Sequence, residues 1–447
     1  MSGVRAIVLA AGKGTRMKSA VPKVFHELCG RPMLWWVLRA LREAGVEDVV
    51  VVISPEMRPG FAALGGAEAV VQKEQLGTGH ALRIALESLE PRSGGRILVT
   101  NGDMPLVTGE IFAAATDALG TDAMALVTLH AGPESSFGRI VRRGECVERI
   151  VEARDATADE LAIEETNAGI YAMDEGKARG ALAALRNENA QREYYLTDTV
   201  ELLASGGNRV NPILLREGRN LLGVNDRAEL AIARARVNER LCMQHMRDGV
   251  TIVDPECTYL EPELAIGRDT VIYPNTAIGR LSRIGQGCTI GPNARLSNAT
   301  IGARTEVRES VILDSVIGDD AHVGPFAHLR GESVLANDVR IGNFVELKNA
   351  RLESGAKASH LSYLGDVTVG EDANVGAGTI TCNFDGKRKN RTKIGKRASI
   401  GSNSSLVAPV EIGDDALTGA GSVVTKDVPA GERVAGNPAR PLPKKPS

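Results

Sequence analysis

The chain has 447 residues and a formal net charge of −3, with 53 basic and 56 acidic residues spread along its length. That balance argues against a general nucleic-acid binder, and the length allows two or three domains, each able to bury a full core. A spanning helix needs about 18 apolar residues and no stretch approaches that, while MSGVRAIVLAAG lacks a signal-peptide cleavage pattern, so a cytoplasmic protein without a membrane partner is expected. The six cysteines, Cys29, Cys146, Cys242, Cys257, Cys288 and Cys382, are scattered without a CxxC pair and read as reduced thiols.

From residue 4 to about 230 the pattern alternates short apolar strands with amphipathic helices. Strands are predicted at Val4–Leu9, Val49–Ile53 and Ile97–Thr100, and helices at Met33–Ala44 and Gly79–Glu90. Such alternation implies a largely parallel, doubly wound sheet, whose ligands bind beyond the carboxyl ends of its strands.

Two loops fall at such ends. LAAGKGTRM, residues 9 to 17, followed by Pro22-Lys23, offers Gly12 and Gly14 for close backbone approach and Lys13, Arg16 and Lys23 as cations. The Walker spacing is absent, and Met17 stands where a dinucleotide fingerprint needs its third glycine. A plain tight turn would explain the glycines alone; the three cations favour a nucleotide triphosphate. Asn101-Gly102-Asp103 follows the third strand. Asp103 could simply cap the turn before Pro105, but a carboxylate beside a triphosphate loop at the same sheet edge suits Mg²⁺, which takes oxygen ligands and bridges phosphates.

Residues 227 to 247 read as a helix with Leu230, Val237 and Leu241 on one stripe and Gly249 as its stop. Beyond it the texture changes. Ile266, Ile272, Ile278, Ile284, Ile290 and Leu296 recur every six residues. Val323 to Leu347, Val369 with Val375, and Ile394 to Val424 repeat the rhythm. A period of six fits neither helix nor alternating strand; it is that of a parallel β-helix, in which each hexapeptide gives one short strand and a corner, three complete a turn, and stacked turns bury what one cannot. Glycine or a small residue is expected at the corners, for tight bends or positive φ. An ordinary sandwich would space its strands irregularly.

The repeat breaks at CNFDGKRKNRT, residues 382 to 392, and a second interruption is read at KASHLSYLGD around His360. Solenoid insertions often carry the binding face, although a charge run is more usually a solvated loop. His360 by itself is either a passive turn residue or a base suited to neutral pH.

LAAGKGTRM with Pro22-Lys23, EQLGTGHA, Gly102-Asp103, FGRI, IVEARDAT, ETNAGI and GVNDRAEL resemble the sugar-nucleotide pyrophosphorylases. Followed by hexapeptides containing HLSYLGD and GAGTITCNFDG, they resemble the bacterial bifunctional enzymes that join such a pyrophosphorylase to an N-acetyltransferase, over nearly the whole chain. The resemblance implies a Rossmann-like α/β nucleotidyltransferase domain over residues 1–226, a linker helix over 227–249, and an all-β left-handed parallel β-helix of hexapeptide repeats over 250–447. It implies acetyl transfer from acetyl-CoA to glucosamine 1-phosphate, then uridylyl transfer from UTP to N-acetylglucosamine 1-phosphate. It further implies that the product would be a precursor of peptidoglycan and lipopolysaccharide.

For the first half it implies that Leu9, Ala10, Ala11 and Gly12 line the nucleotide with Asn101 and Gly102, that Arg16 and Lys23 neutralise its phosphates, and that Gln72, Gly77 and Thr78 read uracil. Gly138, Glu152 and Asn167 would hold the sugar, and Asp103 and Asn225 would ligate Mg²⁺. For the second half it implies His360 as general base, Arg330, Lys348, Tyr363 and Asn374 on the sugar phosphate, and Ala377, Asn383, Phe384, Lys389, Ser402 and Ala420 on acetyl-CoA. Homotrimers with sites between subunits are implied as well. Two positions depart from the family pattern: Phe384 replaces a common Tyr, and the arginine expected near Asn437 is missing unless Arg433 or Arg440 substitutes. A single-function pyrophosphorylase with a purely structural β-helix would not need His360, Lys348, Tyr363 and the basic loop. A nucleotide-sensing scaffold would not need Arg16, Lys23 and Asp103 together.

Overall fold

The computed structural model describes residues 3–62, 64–132, 135–215 and 223–442. They form two compact units that divide at Val237/Asn238, inside the helix Arg227–Arg247.

The first unit is built on one sheet with strand order Val210–Leu215, Met124–His130, Glu165–Asp174, Arg96–Asn101, Val4–Leu9, Asp48–Ile53 and Glu68–Val71. The four strands from Glu68–Val71 to Arg96–Asn101 are parallel, as the alternation predicts. Glu165–Asp174 runs antiparallel to both neighbours, which no local pattern announces. Val4–Leu9 is buried on both faces, so its side chains are apolar without alternation except for Arg5, whose guanidinium pairs with Asp48 at 2.9 Å. One core lies under the helices Met33–Glu43 and Gly109–Leu119, the other under Thr78–Glu87. That last helix stops three residues before the predicted Glu90; Pro91, which follows, disfavours helical geometry at the preceding residue. From Val4–Leu9 the chain steps to Asp48–Ile53 and Glu68–Val71 on one side, then crosses to Arg96–Asn101 on the other. The strand order therefore reverses between Val4–Leu9 and Arg96–Asn101, the place where open α/β sheets bind ligands.

The helix Arg227–Arg247 ends as its sequence predicts: Gly249 takes φ 95°, and Val250 N donates to His245 O at 3.0 Å. The second unit is a parallel β-helix of three sheets with strands of two to four residues. Ile272, Ile290, Val307, Val323 and Ile341 stack in one sheet, each paired with the next coil. The gap between Leu296 and Val323 is no gap: Ile301, Val307, Ile312 and Ile317 keep the inward stack while the corners shorten. Nor is the repeat interrupted at His360, since Lys357–His360 pairs in register with both neighbouring coils. Residues 383–391 leave the prism, between the strands Ile380–Cys382 and Thr392–Ile394.

The corners revise the expectation about glycine. Glycine takes positive φ at some of them, as at Gly287, Gly355 and Gly378, but other residues do so too, among them Asn293, Asp320, Phe326 and Phe344. Repeat glycines such as Gly267 serve close stacking instead, because a Cβ there would lie 2.5 Å from Gln286 N in the next coil.

Candidate functional site

At the switch point of the first unit lies a cleft of about 440 Å³. Leu9, Ala10, Ala11 and Gly12 line one side, Asn101 and Asp103 another, and Gln72, Gly77 and Thr78 a third. Leu9 and Asn101 are paired across the parallel strands, and Gly102 N donates to Leu9 O at 2.9 Å, so the two loops leave the sheet side by side. Gly77, at φ 105°, brings the backbone against Tyr194, leaving 2.6 Å between a notional Cβ and Tyr194 O. Gly14, also in the left-handed region, allows Lys23 to fold over the first loop.

Lys23 forms an ion pair with Asp103, and its ammonium donates to Asn225 Oδ1 at 3.2 Å. Arg16 donates to the same oxygen at 2.8 Å. Residues distant in sequence thus bring together two cations, one carboxylate and one carboxamide oxygen; Lys23 and Asp103 line the cleft, and Arg16 and Asn225 join them from beyond its lining. Among the described residues no three His, Cys, Asp or Glu side chains cluster as a metal cage. Two protein oxygens directed at one cation fit Mg²⁺ of the kind completed by phosphates and water.

Thr78 uses its hydroxyl to accept Leu196 N at 3.1 Å, tying the helix start to the chain at 196. The sugar candidates form a second group outside the cleft lining. Asn167 N donates to Gly138 O at 2.8 Å, while Asn167 Nδ2 donates to the Tyr171 hydroxyl at 2.6 Å and Oδ1 accepts Gly169 N. Glu152 accepts from Thr197 Oγ1 at 3.0 Å, and burial pushes its pKa up. Burial and then the neighbouring Glu152 push Asp198 up to about 6. Gln75 and Glu193 also line the cleft; Gln75 lies within the EQLGTGHA motif but without an implied role, and Glu193 carries no sequence signal that marks it.

In the second unit, Asn343 and His360 are register partners on successive coils, and Asn343 Oδ1 lies 2.7 Å from His360 Nδ1. An accepting oxygen on Nδ1 places the imidazole proton there and the lone pair on Nε2. Asn343 was legible only through the coil repeat, which puts it directly beneath His360. On the next sheet Arg330, Lys348 and Gly365 stack in register, with Tyr363 beside them. Arg330 Nε donates to Glu346 Oε1 at 2.9 Å. Asp366, buried, accepts Asn349 Nδ2 and Asn383 Nδ2, both at 2.6 Å. Lys389 reaches back from the loop to Lys348, whose hydrogen bond and positive charge lower the Lys389 pKa.

Asn374 stands in the sheet of His360, one coil on, not in that of Arg330 and Lys348. Ala377, Ser402 and Ala420 occupy equivalent places at one corner: Asn403 N donates to Ala377 O, and Gly421 N to Ser402 O, both at 2.7 Å. Phe384 is largely exposed on the loop, bridged to Lys389.

A parallel-sheet cleft with convergent cations, joined in one chain to a hexapeptide prism, defines a nucleotidyltransferase combined with a hexapeptide acyltransferase. Three family models match: the MobA-like NTP transferase domain over residues 6–189, the GMPPB C-terminal domain over 258–354, and the bacterial transferase hexapeptide over 391–426. The chain is 46% identical to the bifunctional protein GlmU of Geobacillus sp., covering 95% of this chain and 93% of that one. It is 44% identical to that of Trichlorobacter lovleyi, at 95% and 94% coverage, and 42% to that of Acetivibrio thermocellus, at 96% and 94%. The chain belongs to the bifunctional GlmU family. It is an enzyme with uridylyltransferase and acetyltransferase activities.

Proposed function

We propose that the first unit transfers a uridylyl group from UTP to N-acetylglucosamine 1-phosphate, and that the β-helix first makes this acceptor from glucosamine 1-phosphate and acetyl-CoA. The convergence of Arg16, Lys23, Asp103 and Asn225 at the switch-point cleft carries the first assignment. A phosphate oxygen of the sugar 1-phosphate attacks the α-phosphorus of UTP in line as the bond to pyrophosphate breaks. Arg16 and Lys23 bind and neutralise the phosphates, Leu9 to Gly12, Asn101 and Gly102 hold the nucleotide, and Gln72, Gly77 and Thr78 face uracil. Gly138, Glu152 and Asn167 orient the sugar. Catalysis is then mostly positioning and charge neutralisation. Asp103 and Asn225 would hold Mg²⁺, which when bound supplies further neutralisation of the triphosphate.

The second assignment rests on the His360–Asn343 pair beside Arg330, Lys348 and Tyr363. His360 Nε2 removes a proton from the substrate amine; the amine nitrogen forms its bond to the thioester carbonyl, the carbon–sulfur bond breaks, and coenzyme A leaves as the thiolate. Arg330, Lys348 and Tyr363 hold the sugar phosphate, and Lys389, on the basic loop, contacts acetyl-CoA. Asn374 assists on the sugar phosphate, while Ala377, Asn383, Phe384, Ser402 and Ala420 contact acetyl-CoA. A prism that served only for assembly would have no use for this set.

The working form is a homotrimer in the cytoplasm, with domain limits at 1–226, 227–249 and 250–447. Phe326, Phe344 and Leu361 form an apolar ladder up one corner, each more than half exposed and each at positive φ, with the two rings stacked at 5.4 Å; a neighbouring copy would cover it. Among the described residues no helix is long and apolar enough to cross a membrane. Incubating the full chain with glucosamine 1-phosphate, acetyl-CoA, UTP and Mg²⁺ tests the reading. UDP-N-acetylglucosamine should form and should vanish when any one component is omitted; its formation without acetyl-CoA would refute the sequence of reactions.

A further inference from the structure

Gln72 is buried, yet it lines the cleft. Its backbone N–H is held by Ile53 O at 2.9 Å, continuing the strand edge, so the position of the residue is set by the sheet. The orientation of its carboxamide is a separate matter, because the two ends of that group have nearly the same shape and opposite hydrogen-bonding character. Uracil presents an N–H donor at N3, whereas cytosine presents a lone pair there. A carboxamide that reads the base must therefore show its oxygen for uracil, and one that flips would show its NH₂ and favour cytosine.

Two neighbours decide which end points inward. Gln72 Nε2 donates to Gly77 O at 3.3 Å, and a backbone carbonyl can only accept. The same Nε2 lies 3.1 Å from His80 Nδ1. Both amide hydrogens are thereby used, and Oε1 is left to the cleft. Gly77 O alone is a long contact and would hold the amide weakly. His80, on the first turn of the helix Thr78–Glu87, supplies the shorter one. For Nδ1 to accept, the imidazole must be neutral with its proton on Nε2. Burial first, then the nearby Arg83, hold the His80 pKa below its ordinary value; Glu74 and Glu87 oppose this, and the Tyr194 ring packs at 6.2 Å.

We propose that His80 is a positioning residue that fixes the carboxamide of Gln72 so that its oxygen meets the base, and that it thereby sets the preference of the nucleotidyl site for uracil over cytosine. His80 is not among the residues lining the cleft, so it acts through Gln72 and not by touching nucleotide. This rests on the proposed role of Gln72 at the base.

The test compares kcat/KM for UTP and CTP in the full chain, with N-acetylglucosamine 1-phosphate as acceptor. His80→Phe keeps a flat ring and removes the acceptor. The UTP-to-CTP ratio should fall by about 10- to 100-fold, the worth of one lost hydrogen bond with a buried group left unsatisfied. In His80→Asn a side-chain oxygen takes the place of Nδ1, and the ratio should return to within about threefold of the parent, on the scale of a retained hydrogen bond. The first thermal transition of the same preparations reports whether the nucleotidyl unit is folded, and His80→Leu serves if the phenyl ring does not pack. An equal loss with both nucleotides in Phe, Leu and Asn variants alike would show a merely structural role and overturn the proposal. Gln72→Leu separates the two layers. If it abolishes discrimination and His80→Phe does not, Gln72 reads the base without His80. If it leaves discrimination intact, the base-reading role of Gln72 itself fails.

Discussion

Replacing His360 by alanine should abolish acetyl transfer and spare uridylyl transfer. The side chain is exposed and its one recorded hydrogen bond is the 2.7 Å contact with Asn343, so its removal should cost stability no more than about 1 kcal/mol. The catalytic cost is far larger. A sugar ammonium must lose a proton before its nitrogen can attack, and removal of a positioned general base typically costs about 10²- to 10⁴-fold. Because Arg330 and Lys348 remain, the loss should fall on kcat and leave KM for glucosamine 1-phosphate nearly unchanged. It should shrink as pH rises from 6 to 9.5, where solvent deprotonates the amine unaided. Asn343→Leu should give a smaller version of the same defect, about 10-fold, since the imidazole survives but its tautomer and ring angle are no longer fixed. Thiol release measured across that pH range, with uridylyl transfer as the internal control, decides the matter. A His360→Ala enzyme within about threefold of the parent at pH 7 lies far below that general-base contribution and would refute the assignment.

Asp103→Asn should reduce pyrophosphate release by at least about 100-fold while acetyl transfer persists, because the site loses its one carboxylate facing Lys23 and the proposed Mg²⁺; added Mg²⁺ that restored the rate fully would instead point to weakened binding alone. Gly77→Ala forces a Cβ to within 2.6 Å of Tyr194 O at a φ of 105°, which should cost about 1–3 kcal/mol and lower the first thermal transition by several degrees. An unchanged melting curve would mean the loop is free to move. Asp198 has its folded pKa raised to about 6, chiefly by burial, so the folded state prefers it protonated. Its contribution to stability is full below the unfolded value near 3.9 and is lost as pH rises through about 6. Asp198→Asn should therefore stabilise the protein at pH 7.5 and flatten that part of the pH–stability curve; urea unfolding at pH 4.5, 6 and 7.5 reads the difference, and identical curves for both proteins would contradict it.

The β-helix was legible because its signal is strictly local: each hexapeptide must send one aliphatic side chain into a narrow core, so the period is written through the series Ile266 to Leu296, Val323 to Leu347 and Ile394 to Val424. The strands Val4–Leu9 and Asp48–Ile53 were legible for the same reason, as buried apolar runs bounded by turn residues. The loops at 9–17 and 101–103 could be marked by composition, and most residue roles came through resemblance to a family. What the sequence did not contain was who faces whom. Arg16, Lys23, Asp103 and Asn225 span more than 200 positions, and only the sheet order that closes the switch point brings their side chains to one place. Asn343 is an unremarked asparagine until the coil stacks it under His360, and the coils that looked broken hold their register because a corner can lose a residue without moving the strand above it. His80 reads as one more helix residue until Gly77 O orients the amide it contacts. Periodicity reports how a side chain meets its own core, a property of neighbours in sequence; hydrogen-bond partners across strands and coils depend on distances that only the folded backbone sets.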